Sequence, residues 1–417
     1  YIPLEQPQYR VIKALFNQQQ NFEDNTFYDV SGWTLPLAMN IKFDQVSSTW
    51  GLKTQEKSWQ PSEAKATEVS ELAYAYAFEW YDFLAPKLLN KITNANITAK
   101  VATKDFSATV NGKVKSFNQG TIIVPAGIQQ VENWQSILTD LAAQSQIPLN
   151  ALDTGLTAKG IDIGSSSFRP VSAPKVLLVG GKGVSQYEAG EMLYYLDSLL
   201  EIPVTVVEMQ RLSAIDLAEY SHIIMVDGKY KALSTQVVGK FASWVANGGV
   251  IFGQKSAAQW LSTNEILKID FVSKNHIDQL FDTDKLTYGD KEKLSARKRI
   301  AGAIFKAELD ISHPLAYGYQ QSELPVFRNS TIIMEQTAKP FISVAKYSKT
   351  PLLSGYSDQN LVNRLANNPT LVAHNVGKGR VIASTDDLVF RGYFLGSMKI
   401  VANSLFFAKA FSATLAE

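Results

Sequence analysis

Residues 175–253 alternate apolar runs with amphipathic stretches, and no other feature of the 417-residue chain constrains the fold as strongly. Short connections between alternating strands and helices are typical of a parallel sheet with helices on both faces. The strand candidates are continuous apolar runs, as expected where both faces of a sheet are covered. The predicted strands are 175–179, 204–207, 222–226 and 249–253, and the predicted helices are 187–200, 213–217 and 234–247. We therefore expect an α/β, doubly wound parallel-sheet domain over residues 171–417.

Residues 270–343 break this alternation with charged residues and short β-like runs. We expect a β-rich insertion there. The alternation returns with apolar residues 371–376, a turn at Gly377-Lys378-Gly379 and a strand at 380–384. A last helix is predicted from roughly residue 396 to residue 411.

Residues 66–170 predict a smaller α/β domain ahead of the main one. Strand candidates lie at 72–80, 97–103 and 121–125, and helix candidates follow Asp82 and surround Trp134. Asn111-Gly112 between β-branched residues indicates a two-residue hairpin. Small residues and prolines at 164–174 mark a boundary. Residues 1–65 are expected to form an extended, aromatic-rich segment with one helical stretch at 11–18.

Charge and composition exclude several classes of function. Forty basic and 39 acidic residues give a net charge of +1 without long runs of either sign, which disfavours nucleic-acid partners. No apolar stretch approaches the roughly 20 residues of a membrane span. The absence of cysteine excludes disulfides, thiolate metal sites and cysteine nucleophiles. Because the sequence starts at Tyr1, we expect a chain processed or cut from a longer one.

Several strings resemble the C-terminal half of large bacterial zinc carboxypeptidase-like proteins of the M14 peptidase family. The strings are distinctive in combination, and the resemblance spans nearly the whole chain. They are Tyr28-Asp29-Val30-Ser31-Gly32-Trp33-Thr34-Leu35-Pro36, residues 301–305, 313–318 and 351–356, and the C-terminal strings 377–381, 386–387, 390–392 and 403–407.

This resemblance implies a periplasmic or secreted parent protein with a metallocarboxypeptidase domain on the N-terminal side of this chain. Such a domain holds zinc with an H-x-x-E pair and a distant histidine. None of the four histidines, His222, His276, His313 and His374, is followed by glutamate three positions on. We expect no cofactor in this chain, and the zinc of the parent would lie in the missing domain, which is then the main partner.

The resemblance also implies a region similar to class I glutamine amidotransferases, whose nucleophile is a cysteine at a sharp turn after a central strand. The corresponding turn follows residues 249–253, where Gln254, Lys255 and Ser256 stand. Neither Gln254 nor Lys255 can perform the acyl transfer of a cysteine. We expect a degenerate elbow and no catalytic residue in this chain.

Two alternatives to this non-catalytic interpretation stay open. Ser256 would replace the missing nucleophile in a cryptic serine hydrolase, with His222 or His313 as base. The chain would otherwise be a module that binds peptide or glycan, either through the mouth of the sheet or through aromatic residues of its first part. Those aromatic residues are Trp33, Trp50, Trp59, Tyr74, Tyr76, Trp80 and Tyr81.

Three further patterns are weaker. Residues 180–185 have the position of a phosphate-binding loop but lack its glycine spacing, which favours a plain strand-to-helix turn. Asp310 and His313 form a metal-like pair without a third ligand, so a local structural role is expected. Asp386 and Asp387 near Arg391 are expected to make local ion pairs and helix caps.

Overall fold

The computed structural model of this chain describes residues 1–22, 32–51 and 72–411. The described strands of the first part are β1 (Ala75–Phe78), β2 (Lys100–Ala102), β3 (Phe106–Val110), β4 (Lys113–Phe117), β5 (Ile122–Pro125), β6 (Asn150–Leu152), β7 (Lys159–Gly160) and β8 (Phe168–Pro170). Those of the second part are β9 (Val176–Gly180), β10 (Val204–Glu208), β11 (His222–Met225), β12 (Val250–Gln254), β13 (Ala303–Leu309), β14 (Glu323–Arg328), β15 (Ser343–Ser354), β16 (Pro369–Val376) and β17 (Gly379–Ser384).

The helices follow the same order along the chain. The described α-helices are α1 (Tyr9–Phe16), α2 (Leu35–Ala38), α3 (Ala85–Asn94), α4 (Trp134–Gln144), α5 (Gln186–Leu193), α6 (Thr235–Ala246), α7 (Ser256–Thr263), α8 (Lys274–Gln279), α9 (Lys291–Arg297), α10 (Gln359–Leu365) and α11 (Leu395–Phe406). Two predicted helices differ from these bounds. The helix predicted at 187–200 is α5 continued by a π-helical turn, Tyr194–Leu199. The helix predicted at 213–217 is wrong, because Asp216 caps only a short 3-10 turn, Leu217–Glu219.

The main sheet has nine strands in the order β10-β9-β11-β12-β17-β16-β15-β13-β14. The first five run parallel, in the order 2-1-3-4-5 that is common in α/β sheets. The other four extend the sheet antiparallel. The fold is therefore mixed α/β, and the expectation of a parallel sheet holds for half of this sheet only. Residues 270–343, expected as a β-rich insertion, supply α8, α9 and the last two strands of the sheet, β13 and the edge strand β14.

The burial of the parallel strands explains why the sequence predicts them. Every residue of β9, β11, β12 and β17 is buried, which requires the continuous apolar runs seen in the sequence. The edge strand β10 is largely exposed. The strand β17 comes from the last tenth of the chain but occupies the middle of the sheet, between β12 and β16.

The first part of the chain forms two smaller antiparallel sheets. One has five strands in the order β6-β1-β5-β2-β8, and the other has three in the order β4-β3-β7. The predicted hairpin joins β3 to β4 through Asn111 and Gly112, whose φ angles are 49° and 72°. Two positive φ angles define the type I′ turn. The Asp153 carboxylate accepts the Gly112 amide at 2.8 Å and holds this turn from outside.

The last helix fastens the first part of the chain to the main sheet. The Trp80 indole donates to Asn403 Oδ1 at 2.6 Å and packs against the Phe407 ring at 4.7 Å. The Lys399 ammonium donates to the backbone carbonyls of Trp80 and Asp82, at 2.5 and 2.7 Å. These buried polar contacts fix the position of α11 against the turn that precedes α3.

Three of the strings that carry the family resemblance meet at one place. Gly32 donates its backbone amide to Gly302 at 3.0 Å, and the Thr34 hydroxyl donates to Ser354 Oγ at 3.0 Å. A Cβ on Gly32 would lie 2.7 Å from the backbone oxygen of Ser354. Only glycine allows so close an approach of two backbones. The segment that begins at Gly32 is therefore packed directly on β13 and β15.

Gly32→Ala is expected to destabilise the protein by about 1–3 kcal/mol, because the added methyl group would collide with backbone atoms that cannot rotate away. Urea unfolding measures the change in the free energy of unfolding. Gly164→Ala is the matched control, since a Cβ there has no neighbour within 4 Å. Equal effects of the two substitutions would contradict the close packing at Gly32.

Candidate functional site

The backbone turns sharply between β12 and α7, at the carboxyl end of the parallel strands. Lys255 stands at the turn with φ 50° and ψ −114°. A side-chain-bearing residue rarely adopts this conformation, and such strain concentrates at functional sites. Its amide donates to the Ser384 carbonyl of β17 at 2.8 Å, which holds the turn in place. Of the three residues predicted at the elbow, Lys255 occupies its corner, Gln254 ends β12 and Ser256 begins α7.

The Lys255 side chain is buried among carboxylates. Only 1% of its surface is exposed. Its ammonium donates to Glu188 Oε1 at 2.7 Å and to Asn329 Oδ1, and it lies 3.8 Å from Asp387 Oδ2. Burial lowers the pKa of Lys255, but the carboxyl groups of Asp387 and Glu188 raise it more, so the pKa ends above its ordinary value. The lysine at the elbow is therefore a buried cation.

Glu188 is the anion that balances this cation. Ser185 caps α5 and places Glu188 in its first turn, facing the elbow. Its second oxygen, Oε2, accepts the Gln254 amide group at 2.9 Å and the Asp227 backbone amide at 3.1 Å. Together with the Lys255 ammonium, three donors satisfy this buried carboxylate, as a buried charge requires.

Asp387 is the second carboxyl group at the elbow. Burial raises its pKa to about 8, with further contributions from Glu188 and Glu191, while Lys255 acts in the opposite direction. The ammonium is 1 Å closer to Glu188 than to Asp387. We infer that Glu188 is the main ion-pair partner of Lys255 and that Asp387 holds a proton at neutral pH. Burial also raises the pKa of Glu191.

A second buried ion pair lies next to the first. Arg328 and Asp386 are both fully buried, and Arg328 Nη1 donates to Asp386 Oδ1 at 3.1 Å. The Tyr347 hydroxyl donates to the same oxygen at 2.5 Å, and the Thr370 hydroxyl donates to Oδ2. The sequence predicted local ion pairs for Asp386 and Asp387 near Arg391. Asp386 instead pairs with Arg328, 58 residues away, and the Asp387 carboxyl group lies 3.8 Å from Lys255 Nζ. Arg391 stacks on the Trp33 ring instead, at 4.7 Å.

Ser256 is hydrogen-bonded to the loop that follows β11. Its hydroxyl donates to the Asp227 carboxylate and to the Gly228 carbonyl, at 2.7 Å for the latter. It also accepts the Gly228 amide at 2.7 Å. These bonds join the start of α7 to the loop after β11. The Ser256 hydroxyl therefore has a structural role, which is to connect α7 with this loop.

The two histidines considered as bases lie elsewhere. His222 starts β11 opposite Val250, which lies four residues, or about 13 Å, before the end of β12, whereas Ser256 lies beyond that end. Burial lowers its pKa to about 3. His313 packs on the Phe411 ring at 4.6 Å, and burial lowers its pKa to about 4. The structure does not bring Ser256 together with either imidazole.

The remaining sequence candidates lie in separate local structures. Asp310 accepts hydrogen bonds from Ser312, and His313 Nδ1 accepts the Leu315 amide. Within the described residues no group of three His, Asp or Glu side chains could hold a metal ion, and no helix is long and apolar enough to span a membrane. In the loop 180–185, the Ser185 amide donates to Asp227 at 2.8 Å and Ser185 caps α5, as in an ordinary strand-to-helix turn.

The aromatic residues of the first part that the structure describes differ widely in exposure. Tyr76 and Trp80 are buried, whereas Trp50 is 94% exposed. Tyr74 and Tyr81 are about half-exposed, and Trp33 is covered on one face by Arg391. Trp59 lies outside the described residues.

The partners of Lys255 could not be found in the sequence. Glu188 and Asn329 are separated from Lys255 by 67 and 74 residues. The available signal was positional: Glu188 and Asp387 each follow a predicted strand of one sheet, and the carboxyl ends of parallel strands meet at one edge.

Comparisons with known proteins give only distant matches. No protein-family profile matches the chain, and no curated protein matches it. Among solved structures, it is similar to a cytoplasmic protein from Salmonella typhimurium LT2 (14% identity, TM-score 0.34, 56% of this chain and 99% of that one). It is also similar to a ThuA-like protein from Bacteroides uniformis (13%, 0.33, 56% and 90%). A third is the GH42 β-galactosidase Gan42B, here as its catalytic mutant from G. stearothermophilus (12%, 0.28, 65% and 33%). The chain thus spans about a third of the β-galactosidase that it matches.

Lys255→Met is expected to lower the free energy of unfolding by about 3–5 kcal/mol, because it leaves the Glu188 carboxylate buried without its cation. Adding Glu188→Gln should restore most of this loss, and urea unfolding of the single and double variants measures the coupling. Lys306→Met, which breaks the exposed pair with Glu323, is the control and should cost at most about 1 kcal/mol. A double variant no more stable than Lys255→Met would contradict the pairing.

Asp387→Asn is expected to flatten the pH dependence of stability. A carboxyl group with a pKa near 8 when folded and near 4 when unfolded binds a proton on folding, so its stabilising contribution falls as pH rises from about 4 to about 8. The decline is at most about 1.4 kcal/mol per pH unit, and the asparagine variant lacks it. Urea unfolding at several pH values tests this, with the exposed Asp140→Asn as control. Parallel curves for the wild type and Asp387→Asn would show that Asp387 is ionised throughout.

Proposed function

We propose that this chain is a non-catalytic accessory region of a larger zinc carboxypeptidase-like protein of the M14 type. The observation that carries the proposal is the buried ion pair of Lys255 at the elbow. An elbow places a nucleophile at the mouth of a sheet, where substrate reaches it. Here the corner residue is inaccessible to solvent and engaged by two partners.

The chemistry of Lys255 supports this proposal. A lysine attacks a carbonyl only through a neutral amine, which requires a lowered pKa. The pKa of Lys255 is raised, so its nitrogen has no free electron pair at neutral pH. The three hydrogens of the ammonium face Glu188, Asn329 and Asp387. The same geometry gives the residue a structural purpose, since it joins α5, the elbow and the loop after β14.

The zinc of the proposed parent would be held by residues outside this chain. The described residues do not fit a zinc site, because the four histidines lie on separate elements and no third ligand stands beside Asp310 and His313. No step of a zinc reaction is therefore assigned to this chain. Its contribution to the parent would be to pack against and support the carboxypeptidase domain.

The resemblance strings have a structural interpretation that agrees with an accessory role. Gly32, Gly302 and Ser354 belong to three different strings, and Gly32 contacts both of the others. Asn403 of a fourth string donates to the carbonyls of Leu315 and Tyr317 in a fifth. These residues are used for packing and not for chemistry.

On the basis of the family resemblance, we also propose that residues 171–417 are a variant of the doubly wound amidotransferase-like fold. We propose on the same resemblance that the parent protein is periplasmic or secreted.

Native protein is expected to resist active-site labels. Neither a fluorophosphonate, which labels activated serines, nor an aryl sulfonyl fluoride, which labels neutral lysines, should modify Ser256 or Lys255. Peptide mass spectrometry locates any adduct, an active serine hydrolase serves as positive control, and Ser256→Ala and Lys255→Met identify the site. Stoichiometric labelling that either variant abolishes would overturn the non-catalytic assignment.

The assignment to a zinc carboxypeptidase-like parent requires an H-x-x-E motif in the reading frame ahead of Tyr1. A complete reading frame without this motif would refute that assignment.

A further inference from the structure

A cleft of about 540 Å³ lies beside the elbow, between α7, α8, α9 and the loop that follows β14. Its volume is in the range of sites for drug-sized ligands. Gln259 of α7 lines it one turn after Lys255, and Thr331 and Ile332 line it from the loop. The cleft therefore lies at the carboxyl side of the parallel strands, where ligands of open α/β sheets bind.

The charge of the cleft is strongly one-sided. Four cations line it, Lys274, Lys291, Lys298 and Arg299, against the single carboxylate of Asp278. Asp278 is already paired with Lys298 at 3.1 Å. Among the described residues, Lys274, Lys291 and Arg299 have no carboxylate within ion-pairing distance. Three exposed positive charges thus face one concave surface in a chain whose net charge is only +1.

The floor of the cleft is apolar, and its rim carries neutral polar groups. Val272, Ile277, Leu294 and Ile332 contribute the apolar surface, and Val272 and Ile277 are buried below the floor. The amide of Gln259 and the hydroxyls of Ser295 and Thr331 can pair with amide groups of a ligand. Apolar walls with a few convergent polar groups are typical of sites for organic ligands, whereas a simple inorganic anion needs no apolar floor.

The loop on one side of the cleft is held by the two buried ion-pair clusters. Arg328 precedes the loop, and its Nη2 donates to the Ile332 carbonyl. Asn329 accepts a hydrogen bond from the Lys255 ammonium. The Ser330 hydroxyl donates to the Thr385 carbonyl at 3.4 Å. A wall fixed in this way does not need to be ordered when a ligand binds, which reduces the entropic cost of binding.

We propose that this cleft binds a short acidic peptide segment, with its carboxylates on Lys274, Lys291 and Arg299 and its apolar side chains on Leu294 and Ile332. Charge complementarity selects an anionic ligand, the apolar floor selects hydrocarbon side chains, and the polar rim matches a peptide backbone. The site does not depend on the non-catalytic role of the elbow. It adds a binding activity to the region.

The test uses isothermal titration calorimetry with the acetylated, amidated peptide Asp-Leu-Glu-Leu and its neutral counterpart Asn-Leu-Gln-Leu. The acidic peptide should bind, and the neutral peptide should bind at least about tenfold more weakly. Raising the salt concentration to about 0.3 M should weaken the acidic peptide further, since exposed charges are screened. Equal binding of both peptides, or no binding of either, would overturn the proposal.

Variants then locate the site. The double substitution Lys291→Gln and Arg299→Gln should weaken the acidic peptide about tenfold or more, and Leu294→Asn should weaken both peptides. The matched control is Lys113→Gln with Lys159→Gln, which removes the same charge from exposed residues of the three-stranded sheet. Circular dichroism checks that each variant is folded. Equal loss in the control pair would show a non-specific charge effect, and full displacement by equimolar inorganic phosphate would show an anion site without peptide recognition. Either result would refute the proposal.

Discussion

The contact between the Lys255 ammonium and the Glu188 carboxylate organises the carboxyl edge of the main sheet. It holds a strained residue with a positive φ angle, joins the first helix of the α/β unit to the fourth parallel strand, and connects through Asn329 to the antiparallel half. A buried ion pair adds little net stability in itself, because desolvation offsets the attraction between the charges. The ion pair instead contributes to the specificity of the fold, because an arrangement that separates the two partners would leave a buried charge without its counter-ion. The position that other chains with such an elbow use for chemistry is here a structural junction.

The sequence predicted the strands of the parallel half because their buried positions require continuous apolar runs, as at 176–180 and 250–253. The Asn111-Gly112 hairpin was equally predictable, since few residue pairs tolerate two positive φ angles. The direction of β16 was not predictable. Its apolar run resembles that of a parallel strand, and only the tight turn at Gly377, with φ 56°, forces it to pair antiparallel with β17. The π-helical turn after α5 had no signal in the pattern of apolar residues.

The candidate site was predictable in position but not in chemistry. The turn after 249–253 indicated where the elbow lies, and the residue types there excluded a cysteine nucleophile. Nothing local revealed that Lys255 is buried, because its partners come from α5, the loop after β14 and the end of β17. The cleft beside α7 was equally hidden, since its cations are spread over residues 274–299 among acidic residues of which only Asp278 lines the cleft. Long-range packing, and not composition, creates both features.

The central position of β17 constrains the order in which the strands of the main sheet can pair. During synthesis the ribosome releases β12 and β16 before the strand that separates them, so both keep unpaired backbone edges until residue 384 has emerged. The partners of the Trp80 indole, Asn403 and Phe407, are synthesised later still. The facing edges of β12 and β16 are thus open to mispairing until β17 is available to fill the gap between them.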